Sequence, residues 1–598
     1  MNRIMTGVMI MGVTIVTLMS GCSSDDSSNG GPPGPAASAS DGPGPSVLPA
    51  KFVHAVGSAQ AGQEIFRFET FGNQRFWTDA AKLPQGIAAA GITPLQALQV
   101  GLSVNFDALN AATKQALGAA LQQVTNGADP NTTAFGDPAV TLSLINQNAV
   151  IGVVAFGPDG KRKALGNSGT LNIPGGDKVG LTCAACHAVT DKSVLPPMPA
   201  LNTTGSIGKE IDGPTAHGLD VGKVLSLPLN TLAYYPMLEV QFESLNGATI
   251  GRGTFPGLKT TSTNLPTEAE ADTYLTGVNQ NGSRFYPVGQ FDAFPDGIGN
   301  PLHIAPFFRT DLSAPWGIDG AIEKLEDFNN TVFTVSLDPT SLLTPNGRKF
   351  LHTVAGPAGD ELADDYERVL RATGVIGPGQ AATDVIPFVQ AQDITPGMKG
   401  ATGRRVDETK LLDLNAYLNS LLAPAAPPFD SAKAARGREL FRTTRAAAGA
   451  GCTSCHQVDP NKFVPTDVIP IETIYPGYSP LLIFPRTRPL SDIQDSGGPS
   501  PFFDDRMIVL DATRGGRGEV RGTSLVLLLD LTRKKSFLHD DSVAGANFDE
   551  AADRLLDPVR SDTAAHPFFV ADAAQRSDVI EFLRSLQTDP PRSLLPVP

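Results

Sequence analysis

Four of the five cysteines in this chain fall in two copies of one pattern, Cys183-Ala184-Ala185-Cys186-His187 and Cys452-Thr453-Ser454-Cys455-His456. Two intervening residues space a pair of thiols to meet both vinyl groups of one porphyrin. The adjacent histidine then swings its imidazole beneath the iron. A zinc site also uses Cys-x-x-Cys pairs and a redox dithiol uses one, but neither explains a histidine directly after the second cysteine in both places. The pattern predicts two covalent haem c groups, and therefore iron. Cys183, Cys186, Cys452 and Cys455 are the expected attachment points, with His187 and His456 as proximal ligands.

The fifth cysteine, Cys22, closes an amino-terminal segment with the layout of an export signal. Arg3 supplies the positive end, residues 8–18 the short apolar stretch, and Met19-Ser20-Gly21-Cys22 follows. That tetrapeptide resembles the bacterial lipobox, in which the cysteine is acylated and becomes the first mature residue. Residues 1–22 are thus expected to be a lipoprotein signal, and 23–50, rich in Gly, Pro and Ser, a flexible tether. No apolar run long enough to cross a bilayer follows. The expectation is an exported protein held to the membrane through a lipid anchor and facing the periplasm or cell surface. Ser23 after the cysteine, by the same resemblance, implies the outer membrane. Export suits c-type haem, which bacteria attach outside the cytoplasm. A formal charge of −15 argues against nucleic acid as a partner and suits a small basic electron-carrier protein.

The chain has 598 residues with 61 Gly and 49 Pro, so several domains with many ordered loops are expected. Residues 412–421 (LDLNAYLNSL) and 577–586 (SDVIEFLRSL) share an Asp, an aromatic, a Leu and a closing Ser-Leu at equal spacing. Both place apolar residues on one helical face. Each resembles the C-terminal helix of a cytochrome c domain, whose aromatic residue packs on the first helix. That first helix is visible in the second half at 434–441, where Gly437 permits close approach. The proline-rich stretch 423–428 marks the boundary. The expected fold is mainly α, with two cytochrome-c-like haem domains over 51–425 and 426–598, long loop-rich insertions and a few short strands. Within the larger first half, Thr93-Pro94 predicts a helix start leading into 95–104. Residues 150–156 with Pro158-Asp159-Gly160 predict a hairpin.

A further shared element follows each haem motif. It includes Arg309-Thr310-Asp311 and Trp316-Gly317-Ile318-Asp319-Gly320 in the first half, and Arg521-Gly522-Thr523 and His539-Asp540-Asp541 in the second. With the order of the two haem motifs, these segments resemble the bacterial dihaem cytochrome c peroxidase and MauG superfamily. Trp316 stands three residues before Asp319, where the family has the two adjacent, and Asp541 replaces a glycine. The resemblance implies one six-coordinate haem relaying electrons, one haem open to peroxide, and Trp316 as an inter-haem relay. The family's active-site glutamate has no counterpart that can be placed. Candidate distal ligands are Met398 and His217 in the first half and His566 in the second, while His539 better suits a structural loop. A closed iron favours electron transfer, whereas an open one admits hydrogen peroxide or oxygen. The expected function is a redox enzyme of the peroxidase type, with a pure electron-transfer cytochrome and a haem-dependent oxygenase as alternatives.

Overall fold

The computed structural model describes residues 56–238, 264–278, 284–292, 301–308, 324–355, 357–395, 402–452, 528–537, 543–561 and 569–586. Isolated residues and pairs between them are also described, Trp316 and His456 included. Cys22, the tether, Met398, Cys455, His539 and His566 lie outside the described residues. Among the described residues the chain is mainly helical with a few short strands, as expected, and no helix is long and apolar enough to cross a membrane. The elements that position the site are, in chain order, α1 (Ala59–Phe68), α2 (Pro94–Gln99), α3 (Ala111–Thr125), β1 (Val153–Phe156), β2 (Lys178–Leu181), β3 (Ala188–Thr190), β4 (Glu210–Asp212), α4 (Glu408–Ser420), α5 (Ser431–Arg442) and α6 (Ala573–Arg584).

The architecture rests on two helix crossings built from the same parts. α1 starts because Ser58 caps it, its Oγ accepting from the Ala61 N–H at 3.2 Å. Its buried face carries Gly62, Ile65 and Phe66, and that face meets α4. At Gly62 a Cβ would lie 2.0 Å from the Asp413 carbonyl oxygen and 2.6 Å from Tyr417 Cβ, so only glycine lets the helices touch. One turn on, Phe66 meets Tyr417 edge to face, with centroids 5.8 Å apart at 62°. The second crossing, α5 on α6, repeats each contact. A Cβ at Gly437 would lie 1.9 Å from the Asp578 carbonyl oxygen, and Phe441 meets Phe582 at 5.3 Å and 64°.

The first half therefore has its own opening helix, Gly62-Gln63-Glu64-Ile65-Phe66, matching Gly437-Arg438-Glu439-Leu440-Phe441 of the second. The pattern is short, and distance hides it. Cys452 comes 11 positions after Phe441, but Cys183 comes 117 positions after Phe66. The intervening chain contributes Phe76 and Trp77 to a large apolar core that also takes in Tyr234, Tyr366 and Phe388. A second cluster gathers α1, α4, Cys183, Ala184 and Trp316, and a third gathers α5, α6 and Cys452.

Two local expectations are modified. α2 begins where predicted, with Thr93 and Gln96 forming a capping box, but it ends at Gln99 instead of running to 104. Gly101 turns the chain with φ +87°, and Val104 pairs in extended conformation with Ile207. The turn at Pro158-Asp159-Gly160 forms, with Gly157 N–H donating to the Lys161 carbonyl at 2.9 Å. Yet the ladder of β1 runs to β2, antiparallel, from Val153↔Leu181 to Phe156↔Lys178. Pairing continues past the turn only through the Phe156↔Arg162 bridge. β2 is thereby delivered straight into Cys183.

Helix α3 offers a contrasting glycine. Gly118 is exposed in mid-helix, and a Cβ there would meet nothing within 4 Å. Gly118→Ala removes backbone freedom from the unfolded chain without a clash, so it is expected to stabilise by about 0.5–1 kcal/mol in chemical denaturation. A loss of stability would contradict this placement.

Candidate functional site

The first Cys-x-x-Cys-His segment is held at both ends before any cofactor is considered. β2 enters it with Asn73 satisfying both polar groups of Leu181, Nδ2 donating to the carbonyl at 2.9 Å and Oδ1 accepting from the N–H at 3.1 Å. Thr182 Oγ1 donates to the Arg67 carbonyl at 3.1 Å, which ties the segment to the end of α1. Residues Ala184–His187 make one helical turn, closed by the His187 N–H on the Cys183 carbonyl at 3.1 Å. Gly152, at φ +78°, leaves room for this turn, since a Cβ there would come 2.1 Å from the Ala185 nitrogen. Beyond His187 the chain leaves as β3, antiparallel to β4, and Gly213 N–H donates back to the His187 carbonyl at 2.8 Å.

The donor set fits a covalently bound porphyrin. Cys183 and Cys186 are half-buried thiols outside any disulfide, and burial pushes both up to about 12, which disfavours the thiolate. Burial pulls the His187 imidazole down to about 4, against the Ala305 backbone, which favours its charged form. A neutral ring keeps a lone pair for iron at neutral pH. Its Nδ1 is sealed from solvent with no close hydrogen-bond partner. The Phe307 ring lies 4.3 Å from the imidazole at 49° and limits its rotation. Around the turn lie Ile65, Phe66, Ile151, Phe307, Trp316 and Leu414, an apolar wall of the kind that raises a haem's resistance to water. Among the described residues no three Cys, His, Asp or Glu side chains converge as a zinc site requires.

The second motif repeats this local geometry as far as it is described. Cys452 is buried beside α5, and the His456 N–H donates to the Cys452 carbonyl at 2.8 Å, the same closure as in the first turn. Gly451, at φ +72°, turns the chain into it. Arg533 donates to the Thr215 carbonyl at 3.3 Å, so the second half reaches the loop that follows the first motif.

The remaining candidates separate. Trp316 is buried in the apolar cluster that holds Cys183, bridged to Ile322, and its indole N–H is buried without a hydrogen-bond partner. His217 lies in a turn kept against the motif by the Ala216 N–H, which donates to the Cys186 carbonyl at 2.9 Å. Its ring stacks on His303 at 5.2 Å and 21°. His303 and Phe307 belong to no sequence motif, and only the folding of 302–308 onto the Cys183–His187 turn brings them there. Asp212 and Glu210, buried beside the same turn, carried no signal either.

No family model matches this chain, and no curated protein matches it. Among solved structures, a hydrazine synthase from Kuenenia stuttgartiensis, pressurised with 20 bar xenon, is similar over 59% of this chain and 87% of its own. The identity is 12% and the TM-score 0.26, a resemblance too loose to carry an argument.

Proposed function

We propose that this protein is a dihaem c-type cytochrome acting as a redox enzyme of the cytochrome c peroxidase type, reduced by a small electron-carrier protein. The observation that carries this reading is duplication. Two Cys-x-x-Cys-His turns, each closed by the histidine N–H on the first cysteine's carbonyl, each lie in an apolar cluster beside the same Gly-and-aromatic helix crossing. Haem held in such a turn supplies a one-electron couple and, where an axial position is open, a site for peroxide.

The chain's own residues would do the rest. The thiols of Cys183 and Cys186 would hold the porphyrin covalently, and the neutral His187 nitrogen would ligate its iron. Phe307 fixes the ring plane, and the apolar wall excludes water. Trp316 would serve as an aromatic stepping stone next to the first turn. The two halves differ in their candidate distal groups, with Met398 and His217 in the first and His566 in the second. Unequal ligation sets unequal potentials, which suits delivery of two electrons to one peroxide. The oxidised protein is therefore expected to hold one low-spin and one at least partly high-spin iron, the latter opening further after one-electron reduction. Electron paramagnetic resonance and stopped-flow oxidation of a reduced small cytochrome by hydrogen peroxide check this. Two low-spin irons inert to peroxide and oxygen in every redox state would leave electron transfer alone. Open irons that bind oxygen but turn over no peroxide would point to an oxygenase.

A further inference from the structure

Beside the first haem turn lies a buried ionic cluster with more acid than base. Glu210 and Asp212 both point inward from β4, with side chains 5% and 1% exposed. From α1, Arg67 is the facing cation, its Nε 2.7 Å from Asp212 Oδ2 and 3.7 Å from Glu210 Oε1. From α4, Tyr417 donates its hydroxyl to Asp212 Oδ2 and accepts from Gln63 Nε2 at 3.1 Å. Asn105 Nδ2 donates to Glu210 Oε2 at 2.8 Å. Asp212 Oδ1 is buried with no hydrogen-bond partner. Two carboxylates share one guanidinium, so the fully ionised cluster holds one uncompensated buried charge, an expensive state.

The same cluster is mechanically part of the haem turn. The β3–β4 ladder sets Ala188 opposite Asp212 and Thr190 opposite Glu210, so both carboxylates hang from the strand pair that leaves His187. At the other end of the turn, Thr182 is bonded to the Arg67 carbonyl. We propose that Glu210 is a redox-linked proton acceptor. When a one-electron donor reduces the haem carried on Cys183, Cys186 and His187, one proton from solvent goes onto the Glu210 carboxylate, and it leaves on reoxidation. This rests on the haem reading given above. Burial, then the neighbouring Asp212, holds the Glu210 carboxyl up to about 7 against Arg67 and Asn105, which places its exchange in the physiological range. Negative charge added at the neighbouring turn disfavours a second buried negative charge, so proton binding at Glu210 strengthens on reduction.

The sign follows from linkage. The carboxyl binds its proton more tightly when the haem is reduced, so the potential of the first haem falls as pH rises through the interval between the oxidised-state and reduced-state values. It is flat on either side. Spectroelectrochemical titration of the intact protein, with a dithionite-reduced mediator set from pH 5.5 to 8.5, reads this directly. One haem should show a sloping potential, and that slope should vanish in Glu210→Gln with the visible spectrum retained. A flat potential for both haems, or a slope that survives Glu210→Gln, overturns the proposal. Absence of any haem signal would instead overturn the haem reading itself. Should Glu210→Gln fail to accumulate, Tyr417→Phe decides. Losing the hydroxyl that steadies Asp212 must move the sloping interval to higher pH, and an unmoved interval refutes the assignment.

Discussion

Replacing Cys183 and Cys186 together by serine is expected to halve the covalently bound haem, from two per chain to one. A serine hydroxyl forms no thioether with a vinyl group, so nothing would hold the first porphyrin once the polypeptide is denatured. The second site should be spared, because Cys452 lies in a separate apolar cluster with α5 and α6. The measurement is haem per protein after acid–acetone extraction, with the pyridine haemochrome spectrum on the precipitated chain. Two haems surviving in the variant would refute attachment at 183 and 186. Full extraction from the unaltered protein would refute covalent attachment altogether. The variant should also be less stable, since the wall formed by Ile65, Phe307 and Trp316 would face a cavity in place of a porphyrin.

Gly62→Ala is expected to destabilise the first crossing by about 3 kcal/mol, at the upper end of what overpacking costs. The added Cβ would sit 2.0 Å from the Asp413 carbonyl oxygen, which belongs to helix backbone and cannot rotate away. α1 and α4 must separate, and the Phe66–Tyr417 contact goes with them. Separation would also pull on Thr182 through the Arg67 carbonyl, so haem incorporation at the first turn should fall alongside stability. Gly437→Ala should cost a similar amount in the second half, where the clash with Asp578 is 1.9 Å. Chemical denaturation of the two variants beside Gly118→Ala tests the set. Equal stability of Gly62→Ala and the unaltered protein would mean that α1 does not meet α4 as described.

Several features could be read from residue order because their physics is local. Two thiols and an imidazole at fixed spacing are a chemical signature whatever surrounds them, and the turn that closes Cys183–His187 needs only its own backbone. The helices at 412–421 and 577–586 were recognisable from period and shared residues. They extend as Glu408–Ser420 and Ala573–Arg584, because Asp407 and Asp572 cap them a few residues earlier. Capping at Thr93 is equally local. How far that helix continues is not local, since the extended pairing of Val104 with Ile207 decides it across a hundred positions of chain.

What lies around the first Cys-x-x-Cys-His turn belongs to the fold alone. α1 shares only a five-residue pattern with α5, too short to stand out when 117 positions separate Phe66 from its cysteine motif. Phe307 against His187, His303 against His217, and the Arg67–Glu210–Asp212–Tyr417 cluster each join residues from distant segments. The ring contacts arise only when 302–308 folds onto the turn, and the ionic cluster only when β4 pairs with β3 and α1 crosses α4. The proposed chemistry thus rests on spacing, which covalent geometry enforces within a few residues. The charge balance and packing that would tune it depend on burial, and burial is a property of the assembled chain.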